Sequence, residues 1–231
     1  VMILILIPGI LLLSSFSSAN AQQRTVPVMV DFFDVGTFSQ SPTGIALITT
    51  TGEFAVVDNV NKMLYITDNH GRWQNEVDIS SFSTAPKGVA YIPDTDQLAI
   101  VDNSKDFVFF LNRSGTKVGE CCTKDFDSDN PTDITYDTDS NQLVVLDYTD
   151  KAAYKINLMC EKQDSFSVLA YSSQPQGIVY NTVTGDFAIV DNATDKNIYI
   201  VDSNGNLQND YSVRFVATIP LGITFDPETE D

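Results

Sequence analysis

A repeat of 44 or 45 residues constrains this chain more than any other feature. Copies open at Pro42, Pro86, Pro131, Pro175 and Pro220, spaced by 44, 45, 44 and 45 residues. The clearest copy runs from Pro175 to Asn206 and holds three short apolar runs, GIVY, DFAIVD and NIYIVD. They are parted by Thr184-Gly185, by residues 191–196, and closed by Asn204-Gly205. Strand-sized runs of Val, Ile, Phe and Tyr between such joints read as strands linked by hairpin turns. A mid-forties period with about four strands per unit is the mark of a propeller blade. The expected fold is all-β: a β-propeller of four-stranded antiparallel blades over residues 22–231, with four complete repeats and a partial fifth.

The segments lying just before each later Pro, such as NEVDISSF and DSFSVLAYSS, read as outermost strands. A matching segment, VPVMVDFFDVGTF at 26–38, has no inner strands ahead of it. It is expected to join a blade begun at the other end of the chain, which would close the ring and remove a free sheet edge. The fifth copy opens at Pro220 and the sequence stops at Asp231, so C-terminal truncation of a six-bladed protein is expected. The second strands (EFAVVD, QLAIVD, QLVVLD, DFAIVD) are nearly continuous apolar runs, as strands covered on both faces require.

With 31 acidic against 13 basic residues the formal charge is −18, a field that repels phosphate backbones, and nucleic acid is excluded as a partner. Residues 2–13 are almost wholly apolar and lead through SSFSSAN to Ala19-Asn20-Ala21. Twelve apolar residues are too few for a membrane span of roughly 20, and residues 1–21 read as a signal peptide. The expected location is secreted or periplasmic, with no stable membrane insertion once the signal is removed.

The run P-x-G-I-x-x-x-x-x-x-G-x-F-A-x-V-D-N, followed by a Tyr/Ile-rich strand and Asp-x-x-Gly, resembles the NHL-type repeat and the related SdiA-regulated-like and gluconolactonase-like propellers. In place of the arginine common at the start of their third strand, this chain has Lys62, Lys151 and Lys196. The resemblance implies a six-bladed propeller and a function among scaffolds, sensors, hydrolases and lyases. Lactonase-like members hold a divalent cation in the channel with Glu, Asn and Asp. Here the positions beside the repeat proline read Thr43, Lys87, Thr132, Gln176 and Leu221, with Asp133 the one matching acid.

The recurring Asp58, Asp102, Asp147 and Asp191 begin the turn after each second strand, where a carboxylate can accept backbone N–H groups. They are expected to serve the blade. Asp125, Asp127 and Asp129, with Asp133, form an alternating set of hard-cation ligands and a candidate calcium site, without the EF-hand glycine and glutamate. The sole histidine, His70, lies in the turn Asp68-Asn69-His70-Gly71, and hairpin chemistry accounts for it. Cys121, Cys122 and Cys160 in an exported chain are expected to be oxidised: one bridge between blades, with Cys122–Cys160 the candidate pair, or a strained vicinal bridge instead. Asn112 and Asn192 head glycosylation sequons if the host is eukaryotic.

Residues that vary on a repeated frame can carry specificity. Thr43, Lys87, Thr132, Asp133 and Gln176 form such a column, expected at a channel mouth. The functional expectation is a non-catalytic binding module for a protein or glycan. The alternative is a divalent-cation-dependent lactonase- or esterase-like hydrolase at the channel.

Overall fold

The computed structural model describes residues 2–7, 10–15 and 28–227. Among these residues the strands form five four-stranded antiparallel sheets. Blade 1 comprises Pro42–Ile48, Glu53–Asp58, Met63–Thr67 and Trp73–Asp78; blade 2 Pro86–Ile92, Gln97–Asp102, Phe107–Asn112 and Lys117–Cys122. Blade 3 comprises Pro131–Asp137, Gln142–Asp147, Ala152–Asn157 and Lys162–Ser167; blade 4 Pro175–Tyr180, Phe187–Asp191, Asn197–Val201 and Leu207–Ser212. Each is a meander running outward from the axis, as the repeat predicts. The N-terminal strand Val28–Asp34 is the outer strand of a fifth sheet whose inner strand is Ile223–Asp226.

The middle of that fifth sheet comes from Met2–Ile7 and Ile10–Ser15, the stretch the sequence assigns to a signal peptide. Both roles draw on one property: twelve apolar residues suit a leader's hydrophobic region and equally suit two six-residue strands. The candidate cleavage site, Ala19-Asn20-Ala21, lies outside the described residues. Among the described residues five sheets ring the axis, where six are expected of an intact protein.

There is no single core. Alternate residues of one strand serve different blade interfaces: Ala55 and Val57 pack with Val89, Leu98 and Ile100 of blade 2, whereas Phe54 and Val56 pack with Val35 on the other face. A second set of wedges, around Phe126 and Tyr136 and around Ile178 and Phe187, lies between blades 2 and 3 and blades 3 and 4. This double coverage explains why the second strands carry no polar alternation.

A disulfide joins Cys121 to Cys160, with Cα atoms 5.7 Å apart, and Cys122 is a free thiol. The expected Cys122–Cys160 pairing is therefore corrected. Successive residues of a strand face opposite ways, and it is Cys121, 3% exposed, that points into the interface with blade 3 where Cys160 packs.

Each of the four complete blades is clasped at the proline end of its inner strand. Asp58, Asp102, Asp147 and Asp191 each accept the hydroxyl of a serine 19 residues earlier: Ser39, Ser83, Ser128 and Ser172. Asp102 also accepts the N–H groups of Thr84, Ala85, Ser104 and Lys105 at 2.6–2.9 Å. Burial alone would raise the Asp58 and Asp102 carboxyls; the serine and backbone donors outweigh it and hold both below the usual carboxylate range. Lys62, Lys151 and Lys196 adopt φ between 50° and 56° in the same turns. Their ammonium groups donate back to the carbonyls of Asn59, Tyr148 and Asn192. In blade 5 the serine's place is taken by Ala217, and by register the aspartate's place falls to Ile7.

Candidate functional site

Inner strands of a propeller converge, so the residue two after each repeat proline must be small. Four of the five are glycine: Gly44, Gly88, Gly177 and Gly222. A Cβ on Gly44 would press on the backbone of Lys87 and Gly88, and one on Gly222 would approach the backbone of Gly44 to 3.1 Å. The fifth member is Asp133, whose carboxylate fills the space beside Gly88.

Asp133 is 1% exposed. Its Oδ2 accepts the N–H of Ile178 at 2.8 Å, from the next blade, and its Oδ1 has no hydrogen-bond partner. Burial pushes its carboxyl well above the usual range, and the Ile178 and Ile134 N–H groups offset only part of that. The protonated form is favoured there, because an ion would be desolvated with one oxygen unpartnered. Asp133 thus sits at the waist of the ring rather than at its mouth.

Of the other column residues, Thr43 and Thr132 are buried between blades. Thr43 donates to Pro86 O of blade 2 at 3.1 Å and Thr132 to Pro175 O of blade 4 at 3.5 Å. Lys87 and Gln176 are half-buried at the proximal mouth, where the inner strands begin. Burial, and then the nearby Lys62, lower the Lys87 ammonium from its usual value.

The candidate calcium set does not assemble. Asp125, Asp127 and Asp129 are exposed in the loop before Pro131, and Asp127 pairs with Lys162 at 2.6 Å, while Asp133 is sealed at the axis. Among the described residues no three of His, Cys, Asp or Glu come together as a metal-holding group. His70 is exposed in its hairpin turn, its N–H bonded to Asp68.

A cavity of roughly 100 Å³ opens at the distal mouth, where the inner strands end. Tyr91, Tyr136, Tyr180 and Phe225 wall it, with Thr49 and Thr138 at its rim. Every tyrosine hydroxyl here is engaged: Tyr91 donates to Asp96, Tyr136 to Asn141, and Tyr180 to Asp139 of the neighbouring blade at 2.7 Å. Burial first, then Asp139, raise the Tyr180 phenol. Between mouth and waist, Thr135 and Thr224 accept the N–H groups of Tyr180 and Leu47 at 3.0 Å, and the second of these bonds joins the last inner strand to the first.

No protein-family model and no curated protein matches this sequence. Solved structures do. A nidogen/laminin complex matches over 94% of this chain and 81% of that chain, at TM-score 0.62 and 15% identity. A catalytically inactive histidine-to-alanine variant of virginiamycin B lyase from Staphylococcus aureus, with quinupristin, matches over 96% and 73%, at 0.58 and 14%. Hydrazine synthase of Kuenenia stuttgartiensis matches over 75% of this chain at 0.56 and 14%; the chain spans about half (49%) of that one's length. At these identities the likeness establishes the β-propeller fold alone.

Proposed function

We propose that the chain is an exported, NHL-like propeller acting as a non-catalytic binding module that engages a protein partner over its proximal face. The observation that carries this reading is the commitment of the channel's polar groups to the ring itself. Thr43, Thr132, Thr135 and Thr224 bridge blades, the tyrosine hydroxyls are bonded, and Asp133 is sealed. The distal cavity of roughly 100 Å³ is small beside the about 300–1,000 Å³ of pockets for drug-sized ligands. Support for a protein partner comes from the nidogen/laminin match, a propeller likeness within a protein complex. Against lyase chemistry, the one histidine stands on an outer turn away from the axis.

Amine-reactive cross-linking on the exporting cells tests this. The expected result is a protein adduct through Lys87 that is lost in Gln176→Arg, with no turnover of lactones or aryl esters in the presence or absence of Ca2+. Turnover abolished by Asp133→Asn would overturn the reading in favour of a hydrolase.

A further inference from the structure

Each of the four complete blades packs an aromatic ring lying just before its own proline against one on its own third strand. The pairs are Phe38–Tyr65, Phe82–Phe109, Phe126–Tyr154 and Tyr171–Tyr199, with ring centres 5.1–6.3 Å apart. In three of them the third-strand ring is a tyrosine with a bonded hydroxyl. Tyr65 accepts from Asn61 at 3.2 Å, Tyr154 donates to Asp150 at 2.8 Å, and Tyr199 accepts from Asn197 at 3.3 Å.

Blade 2 departs at both ends of this bond. Phe109 lacks the hydroxyl, and the turn position held by Asn61 in blade 1 and Asp150 in blade 3 is Lys105. Its ammonium donates to the Phe82 carbonyl at 2.8 Å instead. A further ring, Phe107, stacks on Phe109 with planes 8° apart and centres 5.7 Å apart. The result is an outward-facing cavity of roughly 260 Å³ walled by Phe82, Phe107 and Phe109. Lys117 stands 5.2 Å over the Phe109 ring and pairs with Glu120 at 2.6 Å.

We infer that this cavity is a binding site for a small aromatic carboxylate. Its flat body would lie against Phe82 and Phe107, the part-exposed rings of the set, with Phe109 buried behind them, and its carboxylate between the Lys105 and Lys117 ammonium groups. The cavity's two ammonium groups face a single carboxylate, Glu120, and Lys105 has only a carbonyl for partner, so one positive charge is uncompensated. This is local, in a chain of net charge −18, which disfavours polyanions and leaves room for one small acid. Aromatic walls supply the apolar contact, and a charge-assisted hydrogen bond fixes the orientation. The site lies at the outer strands of blade 2, away from the axial mouth that carries Lys87 and Gln176, and its success or failure leaves that assignment untouched.

Calorimetric titration of the folded protein with phenylacetate, phenylacetamide and glucuronate tests it. Saturable, roughly millimolar binding of phenylacetate is expected. It should weaken roughly 10-fold in Lys105→Gln, an exposed position that leaves the fold intact, and similarly for the uncharged amide. Phe107→Leu, which keeps apolar volume but removes the ring, should also weaken it. The inference is overturned if phenylacetate does not saturate, if it binds equally to wild type and Lys105→Gln, or if glucuronate binds more tightly.

Discussion

Replacing Asp133 with asparagine removes a titratable proton from the waist of the ring while keeping the side chain's shape. In the folded chain this carboxyl is buried, with one oxygen unpartnered, and its pKa lies well above the usual value. In the unfolded chain it titrates near about 3.9. The folded state therefore holds its proton more tightly. That contribution to stability is fully present below the unfolded pKa and is lost as pH rises towards the folded pKa. Each pH unit in that interval costs the wild type about 1.4 kcal/mol, and the asparagine variant nothing. Asp58 and Asp102 are depressed, so they act at lower pH and in both proteins alike. Urea unfolding of both proteins from about pH 4.5 upward would show the variant gaining on the wild type by up to about 1.4 kcal/mol per unit, until the pH passes the raised carboxyl's own value. Parallel stability profiles, or a wild type that gains, would refute the assignment of a raised carboxyl to the axis.

Gly88→Ala places a methyl group on the Asp133 carboxyl and its backbone, and should cost about 3 kcal/mol; Asp133→Gly in the same chain should restore part of this, read by thermal unfolding. Ser83→Ala strips one donor from the buried Asp102 carboxylate and should cost about 2 kcal/mol, whereas Ala217→Ser brings no gain because no aspartate occupies the matching place in blade 5. Cys160→Ser opens a cross-link spanning 39 residues and should cost about 4 kcal/mol by loop entropy, with thiol titration rising from one group to two. Removing residues 1–21 deletes the middle strands of the fifth sheet, so amides in Ile223–Asp226 should exchange faster while blades 2 and 3 keep their protection.

The blade pattern was legible because period and strand propensity agree at every copy, from Pro42 to Pro220. Asp58 and its equivalents were legible as a column, yet the serine three residues before each of the first four prolines, from Ser39 to Ser172, repeats just as regularly and was overlooked. Asp133 is legible as the one acid beside a repeat proline, but on sequence alone it groups with Thr43, Lys87, Thr132 and Gln176 at a mouth, whereas its register is that of Gly44, Gly88, Gly177 and Gly222. Its depth follows from strand parity, since a place that elsewhere tolerates only glycine faces the crowded axis. Parity also decides Cys121 over Cys122. The blade 2 cavity was not legible, because it depends on ring orientations and on Lys105 turning to a carbonyl. Nor was the source of the fifth sheet's middle strands, since hydrophobicity alone does not distinguish a leader from a pair of strands.

The missing clasp in blade 5 makes the ring mechanically unequal around its circumference. Four joints carry a buried carboxylate gathering several donors; the last carries Ala217, with the inner strand of its sheet only four residues long. In a solenoid-like array, stability sums over neighbouring interfaces, so opening begins at the weakest. The closed circle is then a hoop with one built-in latch point: it can spring into an arc and shut again while blades 1 to 4 stay folded. Under load or dilute denaturant, the chain should yield there first, by a step the size of one blade.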